Sequence, residues 1–132
     1  MNVRTFLAML TLMGGCHQAA RCGTCGMKIE PSSYWVAYAD SDSGAVPFDT
    51  PRCAFIAWHE RPARFRGVRF REYYSHDLLA STDLLFVAGS DVVGPMGADL
   101  VPVARDKAGK FARDHNGAPP KTTDDLLQEG AL

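Results

Sequence analysis

No apolar run in this sequence reaches the roughly 18 residues of a membrane-spanning helix, so no segment reads as a span. Clustered basic charge is missing too. The 14 lysines and arginines are interspersed with 15 aspartates and glutamates, for a net charge of −1, and a nucleic-acid footprint would need a basic face. Catalytic signatures are absent: there is no nucleophile-elbow serine with histidine and aspartate, no phosphate loop and no dinucleotide fingerprint. The chain therefore reads as a non-enzyme. Cysteine is scarce, with four in all. One Cys-x-x-Cys pair, Cys22 and Cys25, has no second pair and no spaced histidine pair after it, so a closed four-ligand zinc site lacks half its ligands. What remains is ordinary for a globular protein: 132 residues, 46 % hydrophobic and 22 % charged, enough for one domain or two very small ones.

The N-terminus has a character of its own. Arg4 is followed by the short apolar stretch Phe6 to Met13, then Gly14, Gly15 and Cys16. A basic start, a short apolar core and small residues before a cysteine fit a secretory signal, here of the lipoprotein type, with cleavage before Cys16 and lipid on its sulfur. Gly14-Gly15 argues against the alternative of a buried N-terminal helix. Export implies an oxidising compartment. With Cys16 acylated, Cys22, Cys25 and Cys53 remain, an odd number that cannot all pair within the chain.

Residues 34–39, Tyr-Trp-Val-Ala-Tyr-Ala, read as a strand, and Ser41 to Gly44 as a turn. Residues 45–48 form a second strand, with Pro47 placing it at an edge. Asp49-Thr50-Pro51 starts a helix that carries Cys53, Phe55 and Ile56 and stops before Pro62. Further strands are expected over 68–74, 84–88 and 100–103, with a loop over 90–97. A second helix, capped by Asp106, is expected over 107–115 and is ended by Asn116-Gly117. Val46 to Phe55 and Val101 to Phe111 share strand-to-helix punctuation, and one inserted residue brings Phe55 onto Phe111 and His59 onto His115. The resulting expectation is an α+β fold of two similar small strand-strand-helix units. Residues 1–15 are the signal peptide, 16–66 the first unit, 67–118 the second and 119–132 a loosely held polar tail.

Signal cleavage would leave Met27 and Met96 as the remaining methionines. Met27 follows Cys25-Gly26, and Met96 lies between Pro95 and Gly97. Such neighbours fix an irregular backbone and present a side chain rather than pack it. Thiolate and thioether together select copper(I), and Cys25 and Met27 are close enough in sequence to bind one ion. A redox dithiol and a plain Cys22–Cys25 or Cys22–Cys53 disulfide remain open alternatives, giving a periplasmic thiol–disulfide protein or a metal-free structural lipoprotein. Cys53, beside Phe55 and Ile56, reads as a small buried hydrophobe. His115 suits the negative end of a helix on dipole grounds alone. His59 reads as a surface or capping residue, and His17 and His76 lie in linker and loop.

Taken in order, Cys16, Cys22-Gly-Thr-Cys25-Gly-Met27, Trp35, Phe48 to Phe55, Phe86 to Val92, Gly94-Pro-Met-Gly97, Leu100 to Pro102 and Phe111…His115 resemble the NosL family of copper-binding lipoproteins accessory to nitrous oxide reductase. The resemblance spans nearly the whole mature chain. It implies a fold related to the non-catalytic part of organomercurial lyases. It also implies copper(I) bound through sulfur and delivered to the copper–sulfide centre of nitrous oxide reductase, or exchanged with another copper donor or acceptor. The protein would be lipid-anchored on the periplasmic side of a membrane. By position, Cys25 and Met96 are the implied ligands, with Met27 and His115 as candidates for a third. Cys22 is an additional thiol, and whether one thiol or two bind metal stays open. Asn116 departs from the family's familiar His-Gly-Gly ending.

Overall fold

The computed structural model describes residues 18–130. The expected signal, Cys16 and His17 lie outside the described residues. Among the described residues no helix is long and apolar enough to cross a membrane.

Strands β1 (Ala37–Ser41) and β2 (Gly44–Phe48) form a tight antiparallel hairpin with Ala37 opposite Phe48. Alternate residues of β1 point inward, and the core side is taken by Ala37, Ala39 and Ser41. β3 (Gly67–Arg71) and β4 (Leu78–Ala80) complete a four-stranded antiparallel sheet of order β2-β1-β3-β4. Pro47 does lie on an edge strand, where its missing amide costs no ladder bond. This sheet takes strands from both sides of residue 66, so sheet pairing crosses the expected boundary between the two units.

Helix α1 (Pro51–Glu60) follows β2 directly. Thr50 caps it by accepting from the Cys53 amide, and Pro51 occupies the first turn. Its buried face presses Phe55 onto Phe70, with ring centroids 5.2 Å apart, and edge-on onto Phe86 at 4.9 Å. These rings, with Phe48, Val36 and Leu84, form the main core.

β5 (Leu84–Val87) pairs antiparallel with β8 (Val101–Ala104), and a two-residue-per-strand hairpin, β6 (Val93–Gly94) and β7 (Gly97–Ala98), rises between them in the chain. The segment expected as a plain loop over 90–97 thus carries that hairpin. Helix α2 (Arg105–Asp114) leaves β8 and buries Ala108, Phe111 and Ala112 against Val87, Val101 and Val103. The expected Asp106 cap is not used. Ala104 is the residue at the cap, with no side-chain bond, and Asp106 lies inside the first turn. Asn116 is left-handed at φ 53°, as its position at a helix end suggests.

The polar tail is a correction. Lys121 bridges to Phe86, and α3 (Thr123–Glu129) follows with a full capping box between Thr122 and Asp125. Leu126 is buried in the main core and Leu127 packs against it. Few apolar residues suffice here because they fall on one face of a well-capped helix.

Candidate metal centre

Residues 22–27 form a closed loop. The Cys22 amide donates to the Met27 carbonyl and the Gly26 amide to the Cys22 carbonyl, both at 2.9 Å. Arg21 and Lys28 bridge at its base. Gly26 turns the chain at φ +75°, a conformation costly for a side-chain-bearing residue. Folding back in this way aims the Thr24 and Cys25 amides at the Cys22 sulfur, and the Asp49 amide reaches it from the start of α1. Thr24 Oγ1 donates to the Cys53 carbonyl at 2.8 Å, fastening the loop to the first turn of α1.

That docking gathers three sulfurs. The Sγ atoms of Cys22, Cys25 and Cys53 all lie within 4.8 Å of one another, the one such grouping of potential ligands among the described residues. All three are free thiols. Cys22 and Cys53 are buried and Cys25 is partly exposed. Cys53 is buried as its sequence context suggests, yet its sulfur belongs to the cluster. Sequence reasoning missed this. The position just inside a Thr-Pro helix start was the available signal, because the first turn faces whatever docks on the cap.

The thiols are electrostatically unequal. Burial pushes Cys22 up, but the amides of Asp49, Cys25 and Thr24 outweigh it, and its pKa falls below the ordinary thiol value. Burial raises Cys25 more than the Met27 amide and the Cys53 thiol lower it. Burial pushes Cys53 up to about 12, the Thr50 hydroxyl only partly offsetting it. Negative charge on the cluster therefore settles on Cys22, at the positive end of the α1 dipole.

A second segment is fastened to the same helix turn. Pro95 and Met96 form the tip between β6 and β7, and Gly97 takes φ +102° to close it. At its base, buried Asp99 accepts from the Arg52 amide at 2.9 Å and the Leu100 amide at 2.8 Å. A Cβ on Gly94 would meet the Trp35 ring at 3.4 Å, so the hairpin lies against that indole. Met96 and Met27 are each 50 % exposed, so neither fills the core. The Cys22–Met27 loop and the Met96 hairpin thus share one anchor, the start of α1.

His115 is placed in different company. Its Nδ1 lies 2.8 Å from Asp91 Oδ1, its ring stacks on Phe111 at 4.4 Å, and Tyr73 packs against its edge. It is not part of the three-sulfur group. Asp91 occupies one ring nitrogen and leaves Nε2 as a donor. His59 Nδ1 contacts the Leu127 carbonyl at 2.8 Å, and His76 stacks on Tyr34; both have structural partners.

Comparison with known proteins bears on the family and the fold. The NosL family model matches residues 15–129. The crystal structure of the copper chaperone NosL from Shewanella denitrificans is similar in fold, with a TM-score of 0.69 at 20 % identity, over 83 % of this chain and 90 % of that one. No curated protein sequence matches the chain.

Proposed function

We propose that this chain, which belongs to the NosL family over residues 15–129, is a copper(I) chaperone that holds its cargo through sulfur at the start of α1. The observation that carries the reading is the gathering of three thiols there, with both methionine-bearing segments fastened to the same turn. Two cysteine-bearing segments meet within 4.8 Å, and the two half-exposed methionines stand on segments tied to the same turn. Thiolate with thioether favours copper(I) over harder ions. Cys25 and Met96 are the primary ligands in this reading, with Cys22 as an additional thiol. The third donor is either the Met27 thioether or His115 Nε2, which X-ray absorption separates as sulfur from nitrogen.

Exchange follows from exposure. An acceptor's ligand adds to an ion held by few donors, and a thioether on the rim leaves first. No covalent bond of a substrate is made or broken, so the protein is not an enzyme. The carried metal is destined for the copper–sulfide centre of nitrous oxide reductase. Cleavage after residue 15 and acylation of Cys16 would hold the 16–132 chain at the periplasmic face of a membrane, raising its local concentration near its partners as a tether does.

The test is a copper(I) titration of reduced protein against a competing chelator, with Met96→Ala beside the wild type. Met96→Ala lowers the copper(I) affinity by about tenfold or more. Its metal-free unfolding midpoint barely moves, because an exposed methionine leaves little cavity; a buried one would cost roughly 2–5 kcal/mol. A large loss of metal-free stability with unchanged copper affinity would make Met96 a packing residue and remove it from the site.

A further inference from the structure

Cys53 is not among the copper ligands assigned above, yet its sulfur lies within 4.8 Å of those of Cys22 and Cys25. A pure packing role asks only for a small apolar group, and alanine or valine would serve. A disulfide would use two of the three sulfurs and strand the third. Three sulfurs around a single ion use them all.

The spacing suits this. Metal–thiolate bonds of about 2.3 Å in a trigonal plane separate the sulfurs by about 4 Å, inside the 4.8 Å limit the three Sγ atoms already meet. The surroundings suit it as well. Three thiolates leave a copper(I) complex at −2 and a cadmium(II) complex at −1, and buried negative charge needs compensation. The Asp49, Thr24 and Cys25 amides point at the Cys22 sulfur, Cys53 lies in the first turn of α1, and that turn itself carries no acidic residue; the Asp49 carboxylate lies close by, its Oδ2 4.0 Å from Cys25 Sγ. The positive end of the helix therefore faces the anionic complex.

We propose that Cys22, Cys25 and Cys53 form a three-thiolate seat for one thiophilic ion, more buried than the half-exposed methionines and sharing Cys25 with the copper site proposed above. The proposal rests on the copper reading for its cargo, though the seat itself is defined by thiolates alone. Each thiol that becomes a ligand releases its proton to solvent. Copper(I) held by the three thiolates passes outward by exchanging Cys22 and Cys53, which take protons back from solvent as they leave, for Met27 and Met96, with Cys25 bound throughout. The buried seat retains the ion and the rim hands it on.

Cadmium(II) is the probe, because it binds thiolate far better than thioether and its thiolate charge-transfer absorption grows with the number of Cd–S bonds. The full chain is used reduced, with Cys16→Ser so that the three sulfurs are its only thiols. Ultraviolet titration and cadmium-edge X-ray absorption then give one ion bound by three sulfurs. Cys53→Ser and Cys53→Ala each reduce the count to two and weaken binding about tenfold or more, while Met27→Ala and Met96→Ala leave it unchanged. Two sulfurs per cadmium in the protein with Cys53 intact, a result that needs no folded variant, overturns the seat. So do Cys53 variants that keep three. If the three-sulfur cadmium seat is found and Met96→Ala leaves copper(I) affinity untouched, the methionine-bearing copper site fails and the seat stands.

Discussion

β2 runs into α1 through Phe48-Asp49-Thr50-Pro51, and β8 runs into α2 through Val103-Ala104-Arg105. Each helix then buries a phenylalanine at its centre: Phe55 against Phe70 and Phe86, Phe111 against Tyr73 and Tyr74. Each ends near a histidine whose Nδ1 is engaged, His59 by the Leu127 carbonyl and His115 by Asp91. The starts differ. α2 has no side-chain cap, and buried Glu72 closes the junction by accepting the Ala104 amide on one oxygen and the Tyr74 and Ser75 amides on the other. α1 has its Thr50 cap, Asp99 on the Arg52 amide, and three sulfurs packed around its first turn. The same strand-to-helix joint is sealed by a carboxylate in one place and left with unspent donor capacity in the other. Glu72 is saturated by its own backbone. The three sulfurs are free thiols, open to an ion that would displace their protons.

The largest expected effect tests the shared part of the comparison. Phe55→Ala and Phe111→Ala should each cost about 3–5 kcal/mol in urea unfolding, because both rings are buried and surrounded by aromatic neighbours. A loss below about 1 kcal/mol at either position would mean that the packing around that helix is not built on its ring.

Glu72 tests the sealed joint. Burial pushes its carboxyl up, but the Ser75, Ala104 and Tyr74 amides outweigh this and hold its pKa below the usual carboxylate value. The folded protein then binds fewer protons than the unfolded chain between the lowered pKa and about 4.3. This stability is complete above that window and is lost as pH falls through the folded pKa. Glu72→Gln should cost about 1–3 kcal/mol at neutral pH and flatten this part of the acid-unfolding profile. A profile unchanged in the variant would show that Glu72 does not carry the joint.

The smallest effect is a gain in α2. A Cβ at Gly109 would meet only the end of the Arg113 side chain, at an ordinary 3.6 Å, so Gly109→Ala should stabilise by about 0.5–1 kcal/mol. Differential scanning calorimetry reads it as a raised midpoint; a lowered one would mean that the α2 surface is tighter than its contacts imply.

The local parts of this architecture were legible in the chain. Thr50-Pro51 marked α1, Pro47 marked an edge strand and Asn116 marked the end of α2. Flanking glycine and proline marked Met27 and Met96 as presented side chains, and both are exposed. α3 was hidden because Pro119-Pro120 and a polar composition drew attention from the Thr122–Asp125 box, whose two bonds need no apolar signal. The strand expected to run to Tyr74 stops at Arg71, because the Glu72 carboxylate takes the Tyr74 and Ser75 amides into a turn. Sheet pairing across residue 66 and the approach of Cys53 to the Cys-x-x-Cys loop are tertiary facts. The latter depends on Thr24 Oγ1 reaching the Cys53 carbonyl and the Asp49 amide reaching the Cys22 sulfur, contacts between segments more than twenty residues apart.

The most direct test of the account is copper-edge X-ray absorption on the reduced, copper(I)-loaded full chain, beside Cys25→Ser. A sulfur-dominated shell of at least two scatterers is predicted, losing one sulfur in Cys25→Ser together with at least about tenfold in affinity. A shell of nitrogen and oxygen alone, or a sulfur shell and affinity unchanged in Cys25→Ser, would contradict a copper site built on sulfur at the start of α1.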